Sequence, residues 1–274
     1  MTKAERTGGD FKMAYLSLHM DSEYLGAHTN IIVILPDRPQ GQTIQQFYSG
    51  RKYKVLWLLH GGHGDATEWL RKTKIELYAS EHDLTVVCPS AQSSFYQNWP
   101  GFGPGYFMQD FFFRELMPAV RAWLPASDRK EDNFIAGLSM GGVGTLTFLS
   151  LHPELFSAAA IMSGTPFDLR RTEGGTPNMV AVYRNLAANF GGREKMFEAG
   201  ANLWEEFIKN DPDCMPRLYF SCGKNDIGYQ NYLEYIALLK SRGFRFEHDE
   251  SSDYGHEWRE WDYQIEKAIR FFLS

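Results

Sequence analysis

The sequence predicts an α/β fold in which a mostly parallel, doubly wound sheet follows an antiparallel start. Two observations carry this prediction. From about residue 54 onward, short apolar runs of β-type residues alternate with longer segments of helical periodicity, which is typical of βαβ units. Before that point, two strand-like segments, Met13–Met20 and Asn30–Leu35, are separated by little more than a turn at Tyr24–Gly26. That spacing is too short for a crossover, so the two strands should pair antiparallel.

The parallel strands are expected where runs of three to five residues, mainly apolar or, at Phe244–Glu247, alternating, stand between turn-forming residues. In chain order they are Val55–Leu59, Thr85–Cys88, Phe134–Ala136, Ala158–Met162, Leu218–Ser221 and Phe244–Glu247. The helices are expected where apolar residues recur at three- and four-residue steps, as Trp258, Trp261, Ile265, Ile269 and Phe272 do in the last one. In chain order they are Thr67–Glu81, Asp110–Trp123, Gly142–Leu151, Asn231–Ser241 and Trp258–Phe272.

Composition places the chain among globular proteins. With 274 residues, 43% of them hydrophobic, residues 1–274 are expected to form one domain. A formal charge of −6 with no basic cluster argues against nucleic acid as a partner, and no apolar stretch is long enough to span a membrane. The first ten residues lack the apolar core of a secretory signal, so a cytoplasmic location is expected. The sequence leaves a homo-oligomer open.

Three cysteines, Cys88, Cys214 and Cys222, are an odd number without the spacing of metal ligands. They indicate reduced thiols rather than a disulfide framework or a zinc site. Neither a metal nor a cofactor is expected from the sequence.

The segment from Asp132 to Pro153 carries the strongest functional signal. A short apolar run meets Gly137-Leu-Ser-Met-Gly141, and an apolar helical segment follows it. Gly-x-Ser-x-Gly between a strand and a helix is the nucleophile elbow of α/β-hydrolases. A serine on so tight a turn has strained backbone, and side chains two residues either side of it would clash with neighbouring elements. The pattern identifies Ser139 as the candidate nucleophile.

The remaining members of a triad are expected downstream in the order acid, then histidine. Asp226 follows the strand predicted at Leu218–Ser221, and functional groups gather at the carboxyl ends of strands in α/β sheets. Among eight histidines only His248 and His256 come after Asp226. His248 belongs to a predicted strand, whereas His256 lies in a loop that enters the last helix. His256 is therefore the candidate base.

Each of these residues also has an ordinary structural interpretation. Alone, Asp226 could be a helix cap or a turn residue, His256 a surface histidine and Ser139 a small residue in a tight turn. Their common position at strand ends, in the order that the elbow requires, favours the triad.

A glycine-rich loop supplies the expected oxyanion hole. Lys54–Leu59 runs into His60-Gly-Gly-His-Gly64, and loops of this kind provide one backbone donor, while the residue after the nucleophile provides the other. Gly62 and Met140 are the candidate donors, with His63 as the neighbour that could replace Gly62 or contact the substrate. The alternative is a glycine-rich turn that only ends a strand.

Five short segments resemble one family of α/β-hydrolases. They are Leu58-Leu-His-Gly-Gly62, Gly137-Leu-Ser-Met-Gly-Gly142, His152-Pro-Glu-Leu-Phe156, Cys222-Gly-Lys-Asn-Asp226 and Gly255-His-Glu-Trp258. The family includes tributyrin esterases, feruloyl esterases, esterase D (the S-formylglutathione hydrolases) and mycolyltransferases. The resemblance covers nearly the whole chain. It implies an α/β-hydrolase fold with Ser139 as nucleophile, Asp226 as acid, His256 as base, and Gly62 and Met140 at the oxyanion positions. Formylglutathione hydrolases usually carry His-Gly where this chain has Val143-Gly144, which weakens a thioester role.

Two segments are candidates for the substrate pocket. The stretch Phe95–Phe107 is dense in aromatic residues, glycine and proline, and Trp99 at its centre is a candidate contact for a sugar or a phenolic ring. The stretch 164–215 is long for a connection between two strands, with a helical run near Lys195–Ile208, and is expected to shape the pocket. The alternatives are ordinary core packing for Trp99 and a surface insertion for 164–215.

The sequence thus predicts a serine carboxylesterase that hydrolyses short-chain acyl esters through an acyl-enzyme, with acetylated carbohydrates and hydroxycinnamoyl esters as candidate substrates. Within enzymes, the alternative is S-formylglutathione (thioester) hydrolysis or acyl transfer. From another class, the chain could be a catalytically silent module that binds carbohydrate or acyl groups on the same fold.

Overall fold

The computed structural model describes residues 13–38, 41–171 and 177–274. Its main sheet has eight strands in the order β1-β2-β4-β3-β7-β8-β9-β10. A separate two-stranded ribbon pairs β5 with β6. The strands are β1 Met13–Ser22, β2 Ala27–Pro36, β3 Lys54–Leu59, β4 Leu84–Pro89, β5 Asn98–Trp99, β6 Tyr106–Phe107, β7 Asn133–Leu138, β8 Ala158–Met162, β9 Arg217–Ser221 and β10 Phe246–Asp249.

Strand β2 pairs antiparallel with both of its neighbours, and the pairings from β4 to β10 are parallel. The prediction of a mostly parallel sheet with an antiparallel start is confirmed. Because the parallel strands point the same way, the loops that follow β3, β7, β8 and β9 all leave one edge of the sheet.

The α-helices cover both faces of the sheet. They are α1 Ile44–Tyr48, α2 Glu68–Lys72, α3 Ile75–Glu81, α4 Met108–Asp110, α5 Met117–Trp123, α6 Met140–Leu151, α7 Pro177–Asn189, α8 Arg193–Glu198, α9 Leu203–Glu206, α10 Tyr229–Ser241 and α11 Trp258–Leu273. A π-helical segment, Phe111–Leu116, joins α4 to α5. Pro118 lacks the N–H that would bond to the Arg114 carbonyl in an α-helix, which favours the wider turn before it.

Three elements differ from the sequence prediction in a physically informative way. The helix expected at Thr67–Glu81 is split into α2 and α3. Thr73 has an extended backbone, and its hydroxyl forms hydrogen bonds with the backbone of both helices. It donates to the Trp69 carbonyl (2.5 Å) and accepts from the Ile75 N–H (3.2 Å). The run at Lys195–Ile208 is likewise broken into α8, α9 and a 3-10 turn, Phe207–Lys209.

The last strand begins two residues later than expected, at Phe246 rather than Phe244. Gly243 has a positive φ of +83°, and the Phe244 N–H bonds to the Leu239 carbonyl (3.1 Å), so Phe244 still belongs to the end of α10. Its ring stacks on Phe207 at 5.3 Å between centroids. Phe244 is therefore an apolar core residue at the end of α10, and not the first residue of the strand.

The alternation of side chains along the strands divides the core into two layers. Val55, Trp57 and Leu59 of β3 pack in the layer beneath α5, α6 and α10, whereas Leu56 and Leu58 pack beneath α3 and α11. A third, smaller apolar cluster of Leu169, Leu186, Met196 and Ala201 lies in the 164–215 stretch, and Trp99 packs against it. Within the part of the chain that the structure describes, no helix combines the length and the apolar character needed to cross a bilayer.

Candidate active site

Ser139 is the only residue between β7 and α6, and its backbone is strained. Its φ of 50° and ψ of −117° lie outside the regions that L-residues favour. The turn is tight because Gly137 and Gly141 touch: a Cβ on Gly137 would lie 2.2 Å from the Gly141 carbonyl oxygen. The Ser139 N–H bonds to Met162 O on β8 (2.9 Å), which fixes the turn to the sheet.

Ser139, His256 and Asp226 form a continuous hydrogen-bonded line. His256 Nε2 lies 2.9 Å from Ser139 Oγ, and His256 Nδ1 lies 2.8 Å from Asp226 Oδ2. A carboxylate can only accept, so Nδ1 carries the proton and Nε2 is left to accept the serine proton. The Asp226 side chain is 1% exposed and that of His256 is 31% exposed. The arrangement allows proton removal from Ser139 at a site open to small molecules.

The surroundings of Asp226 favour its ionised form. Burial raises the pKa of this carboxyl, but the hydrogen bond and charge of His256 and the N–H of Gly228 outweigh it, so the pKa is lowered. The Gly228 N–H donates to Asp226 Oδ1 at 2.7 Å, leaving Oδ2 for His256. At neutral pH the carboxylate is therefore charged and oriented toward the imidazole.

Two loops that bond to each other carry the acid and the histidine. The acid loop, residues 222–228, follows β9, and the base loop, residues 250–257, connects β10 to α11. The N–H of Lys224 donates to Ser252 O (3.0 Å), and the N–H of Asn225 donates to Tyr254 O (3.2 Å). Gly223 has no room for a side chain, since a Cβ would lie 2.1 Å from Tyr254 O. These contacts set the spacing between Asp226 and His256.

Trp261 packs against the imidazole ring of His256. Its ring meets the ring of His256 edge to face, at 5.0 Å between centroids and 88° between planes. Sequence analysis assigned Trp261 only to the apolar face of the last helix. Trp261 lies one turn into α11 and five residues after His256, and this short separation was the sequence feature that indicated a contact between them.

The glycine-rich loop after β3 lies beside the nucleophile. A Cβ on Gly61 would be 3.6 Å from Ser139 Cβ. Gly62 is exposed, and Met140 is the first residue of α6. Among the described residues, neither N–H donates to another protein group. Both backbone donors are thus available to an oxygen held near Ser139, and the N-terminus of α6 favours negative charge there.

His60 organises this loop, a role that sequence analysis did not assign. The side chain is buried, its Nε2 accepts the N–H of Ala91 (2.9 Å), and its Nδ1–H donates to Gly61 O (2.7 Å). Burial lowers the pKa of His60, against the opposing effects of Gly61, Glu68 and Asp65. The neutral ring therefore holds the loop after β4 to the loop after β3. Ala91 is 31 residues away, a separation that no local motif spans.

The two candidate substrate contacts have different surroundings. His63 is exposed next to Gly62, in the left-handed region at φ 61°. The indole N–H of Trp99 donates to Ser94 O (2.7 Å), and its ring lines a cavity of about 170 Å³ together with Phe102 and Tyr106. Gln92, also on the cavity wall, adjoins the Ala91 that His60 holds. A larger cavity, about 660 Å³, is lined by Thr147, Ser150 and Leu151 at the opposite end of α6 from Ser139.

His248 lies outside this arrangement. It is part of β10, and its Nε2 lies 3.2 Å from Lys240 Nζ. Within residues 13–38, 41–171 and 177–274, no three His, Cys, Asp or Glu side chains are grouped as metal ligands would be.

Comparison with known proteins places the chain among esterases. The family model described as "Putative esterase" matches residues 22–272. An acetyl esterase of Caldicellulosiruptor saccharolyticus is 27% identical over 94% of this chain and 98% of its own. The crystal structure of an S-formylglutathione hydrolase from Staphylococcus aureus is 30% identical, with a TM-score of 0.77 over 96% of this chain and 100% of that one. A ferulic acid esterase, 20% identical with a TM-score of 0.74 over 96% of this chain and 98% of that one, shares the fold.

Proposed function

Because the chain belongs to this esterase family and is a carboxylic ester hydrolase, we propose that it cleaves small, short-chain acyl esters with Ser139 as nucleophile, His256 as base and Asp226 as acid. The observation that carries the proposal is the hydrogen-bonded line from Ser139 Oγ through both nitrogens of His256 to Asp226, with separations of 2.9 and 2.8 Å. Both lie within the range in which protons are transferred.

In the acylation step, Ser139 Oγ attacks the ester carbonyl carbon as His256 Nε2 takes the hydroxyl proton. The carbonyl oxygen becomes an oxyanion that accepts the N–H groups of Gly62 and Met140, and each such donor contributes on the order of 3 kcal/mol to transition-state stabilisation. Asp226 stabilises the imidazolium. The intermediate then collapses, and His256 returns the proton to the departing alkoxide, which leaves as the alcohol.

In the deacylation step, water replaces the alcohol. His256 removes a proton from the water as its oxygen attacks the acyl carbon, and Ser139 regains a proton when the carboxylic acid leaves. The imidazole is partly exposed, which supports water as the acceptor. This reaction needs no cofactor or metal, and its partner is a small ester.

For the substrate, we infer that Trp99 and His63 border the bound ester. The cavity beside Trp99, at about 170 Å³, is close to the ~150 Å³ engineered cavity that holds one benzene ring. Its size fits a single ring or a short chain better than a long acyl tail. The similarity to an acetyl esterase supports short acyl groups, and the aromatic walls support a sugar or a hydroxycinnamoyl group.

A thioester substrate is the second candidate. The S. aureus relative at 30% identity is named an S-formylglutathione hydrolase, and a triad of this kind also cleaves thioesters. The pair Val143-Gly144 argues against a thioester substrate, because S-formylglutathione hydrolases usually have His-Gly at these positions. Gly144 itself is required by packing, since a Cβ there would lie 2.4 Å from the Tyr96 ring.

The decisive experiment compares the wild-type protein with Ser139→Ala on p-nitrophenyl acetate, methyl ferulate, acetylated xylo-oligosaccharides and S-formylglutathione. We expect activity on short esters, loss of that activity to near background in Ser139→Ala, and fluorophosphonate labelling at Ser139 alone. Labelling elsewhere, or a tenth of the activity in the variant, would contradict the triad. A wild-type protein that is inactive on all four substrates would contradict the proposed preference for short esters. A formylglutathione rate far above every oxygen ester would favour the second candidate.

A further inference from the structure

Glu260, in the first turn of α11, is a fully buried carboxyl with no cation beside it. It is 0% exposed, and no basic side chain among the described residues pairs with it. Two of the charged groups that act on it are acidic, namely Asp249 and Asp226, and Asp249 is already paired with Lys267. A residue in this position of a helix usually turns toward the helix N-terminus and solvent. Glu260 instead points into the protein.

Stability does not account for this carboxyl. Burial raises the pKa of Glu260, the nearby Ser252 and Gln264 lower it, and Asp249 and Asp226 raise it further, so the pKa lies above its ordinary value. Oxygen Oε1 is buried without a hydrogen bond. Such a group is costly to bury, and replacement by an apolar side chain of similar size is commonly neutral or stabilising.

A hydrogen bond of the Glu260 side chain joins α11 to the base loop. The Ser252 hydroxyl donates to Glu260 Oε2. Ser252 also contacts the acid loop, since its carbonyl accepts the N–H of Lys224 at 3.0 Å. It is thus the residue at which α11, the acid loop and the base loop meet. The base loop has no helix or strand of its own between β10 and α11, so contacts of this kind determine where His256 lies.

We propose that Glu260 is a positioning residue, which fixes the base loop through Ser252 and thereby keeps His256 Nε2 within hydrogen-bond distance of Ser139 Oγ. The proposal rests on the function proposed above. Without this bond the loop loses a side-chain hydrogen bond to α11 four residues before His256. A displacement of about 1 Å would lengthen the present 2.9 Å contact beyond hydrogen-bond range, and misplacements of that size cost on the order of 10²-fold in rate.

The test uses Glu260→Met, which removes the bond, and Glu260→Gln, whose amide oxygen can still accept from Ser252. We expect Glu260→Met to lower kcat for p-nitrophenyl acetate at least tenfold with KM within twofold of wild type. Fluorophosphonate labelling of Ser139 should slow by a similar factor, and Tm should stay equal or rise. We expect Glu260→Gln to remain within threefold of wild type.

Ser252→Ala removes the bond from the other side and is the second variant if Glu260→Met does not fold. It should match the kcat of Glu260→Met, and the double variant should be no slower than either one. The proposal is overturned if Glu260→Met and Ser252→Ala keep wild-type kcat, if Glu260→Gln is as slow as Glu260→Met, or if kcat falls only in parallel with Tm. Failure of the proposed function would be visible separately, as an unlabelled wild-type protein or an active Ser139→Ala variant.

Discussion

Replacing Gly137 by alanine should disable the active site by adding a single methyl group 2.2 Å from the Gly141 carbonyl oxygen and 2.3 Å from its carbon. Ordinary contacts begin at 3.4 Å, so these backbone atoms must separate by roughly 1 Å. Gly141 cannot move away from Gly137, because its other side packs against the backbone of Leu59 and His60. A Cβ on Gly141 would lie 2.5 Å from Leu59 O. The strain therefore falls on Ser139, which lies between the two glycines.

A shift of that size moves Ser139 Oγ out of the 2.9 Å contact with His256. We expect kcat/KM for p-nitrophenyl acetate to fall by about 10²-fold. Overpacking of this kind costs roughly 1–3 kcal/mol, so Tm should fall by several degrees as measured by circular dichroism. Ser150→Ala, a small change at the other end of the same helix, is the matched control and should keep wild-type kcat/KM. A Gly137→Ala protein with wild-type Tm and kcat/KM within threefold of wild type would refute the packing argument.

Three further outcomes are expected. Asp226→Asn should lower kcat by several orders of magnitude, because an amide cannot balance the imidazolium charge, whereas His248→Ala should stay within twofold of wild type. The lowered pKa of buried His60 means that the unfolded chain binds the proton first. The stability that the neutral His60 side chain contributes is thus complete above about pH 6.5 and is lost as the pH falls. As the pH is lowered from 7 to 5, the Tm of the wild-type protein should drop more than that of His60→Gln. Acetyl to butyryl p-nitrophenyl esters should be cleaved faster than octanoyl esters, and a preference for palmitoyl esters would contradict the pocket size beside Trp99.

The sheet could be predicted from the sequence because its signals are local. The central strands β3, β4, β7 and β8 are runs of mainly apolar residues, and the glycines around Ser139 mark a turn that only small residues allow. The candidates Ser139, Asp226 and His256, which the structure brings together, could also be selected from the sequence, since strand ends and chain order limit the choice. The distances between them were not predictable, because they depend on how the loops after β7, β9 and β10 pack against each other.

The features missed from the sequence depend on hydrogen-bond partners that the periodicity of apolar residues does not identify. His60 accepts the N–H of Ala91, and Glu260 accepts the hydroxyl of Ser252, whose carbonyl contacts the acid loop. Thr73 ends α2 because its hydroxyl bonds inside the protein, whereas periodicity alone favours one continuous helix. In each case a polar side chain forms a specific hydrogen bond. The pattern of apolar residues contains no information about the partner in that bond.

The position of β10 at the edge of the sheet has a consequence for how the protein is inactivated. This strand has four residues, pairs on one side only, and exposes part of every side chain. Segments with few buried contacts open locally at free energies well below that of the whole domain, and β10 is such a segment. The base loop begins where β10 ends, so fraying there would release His256 while the buried central strands remain intact. Mild urea should accordingly abolish turnover before tryptophan fluorescence reports unfolding, and removal of the urea should restore turnover rapidly, without refolding of the core.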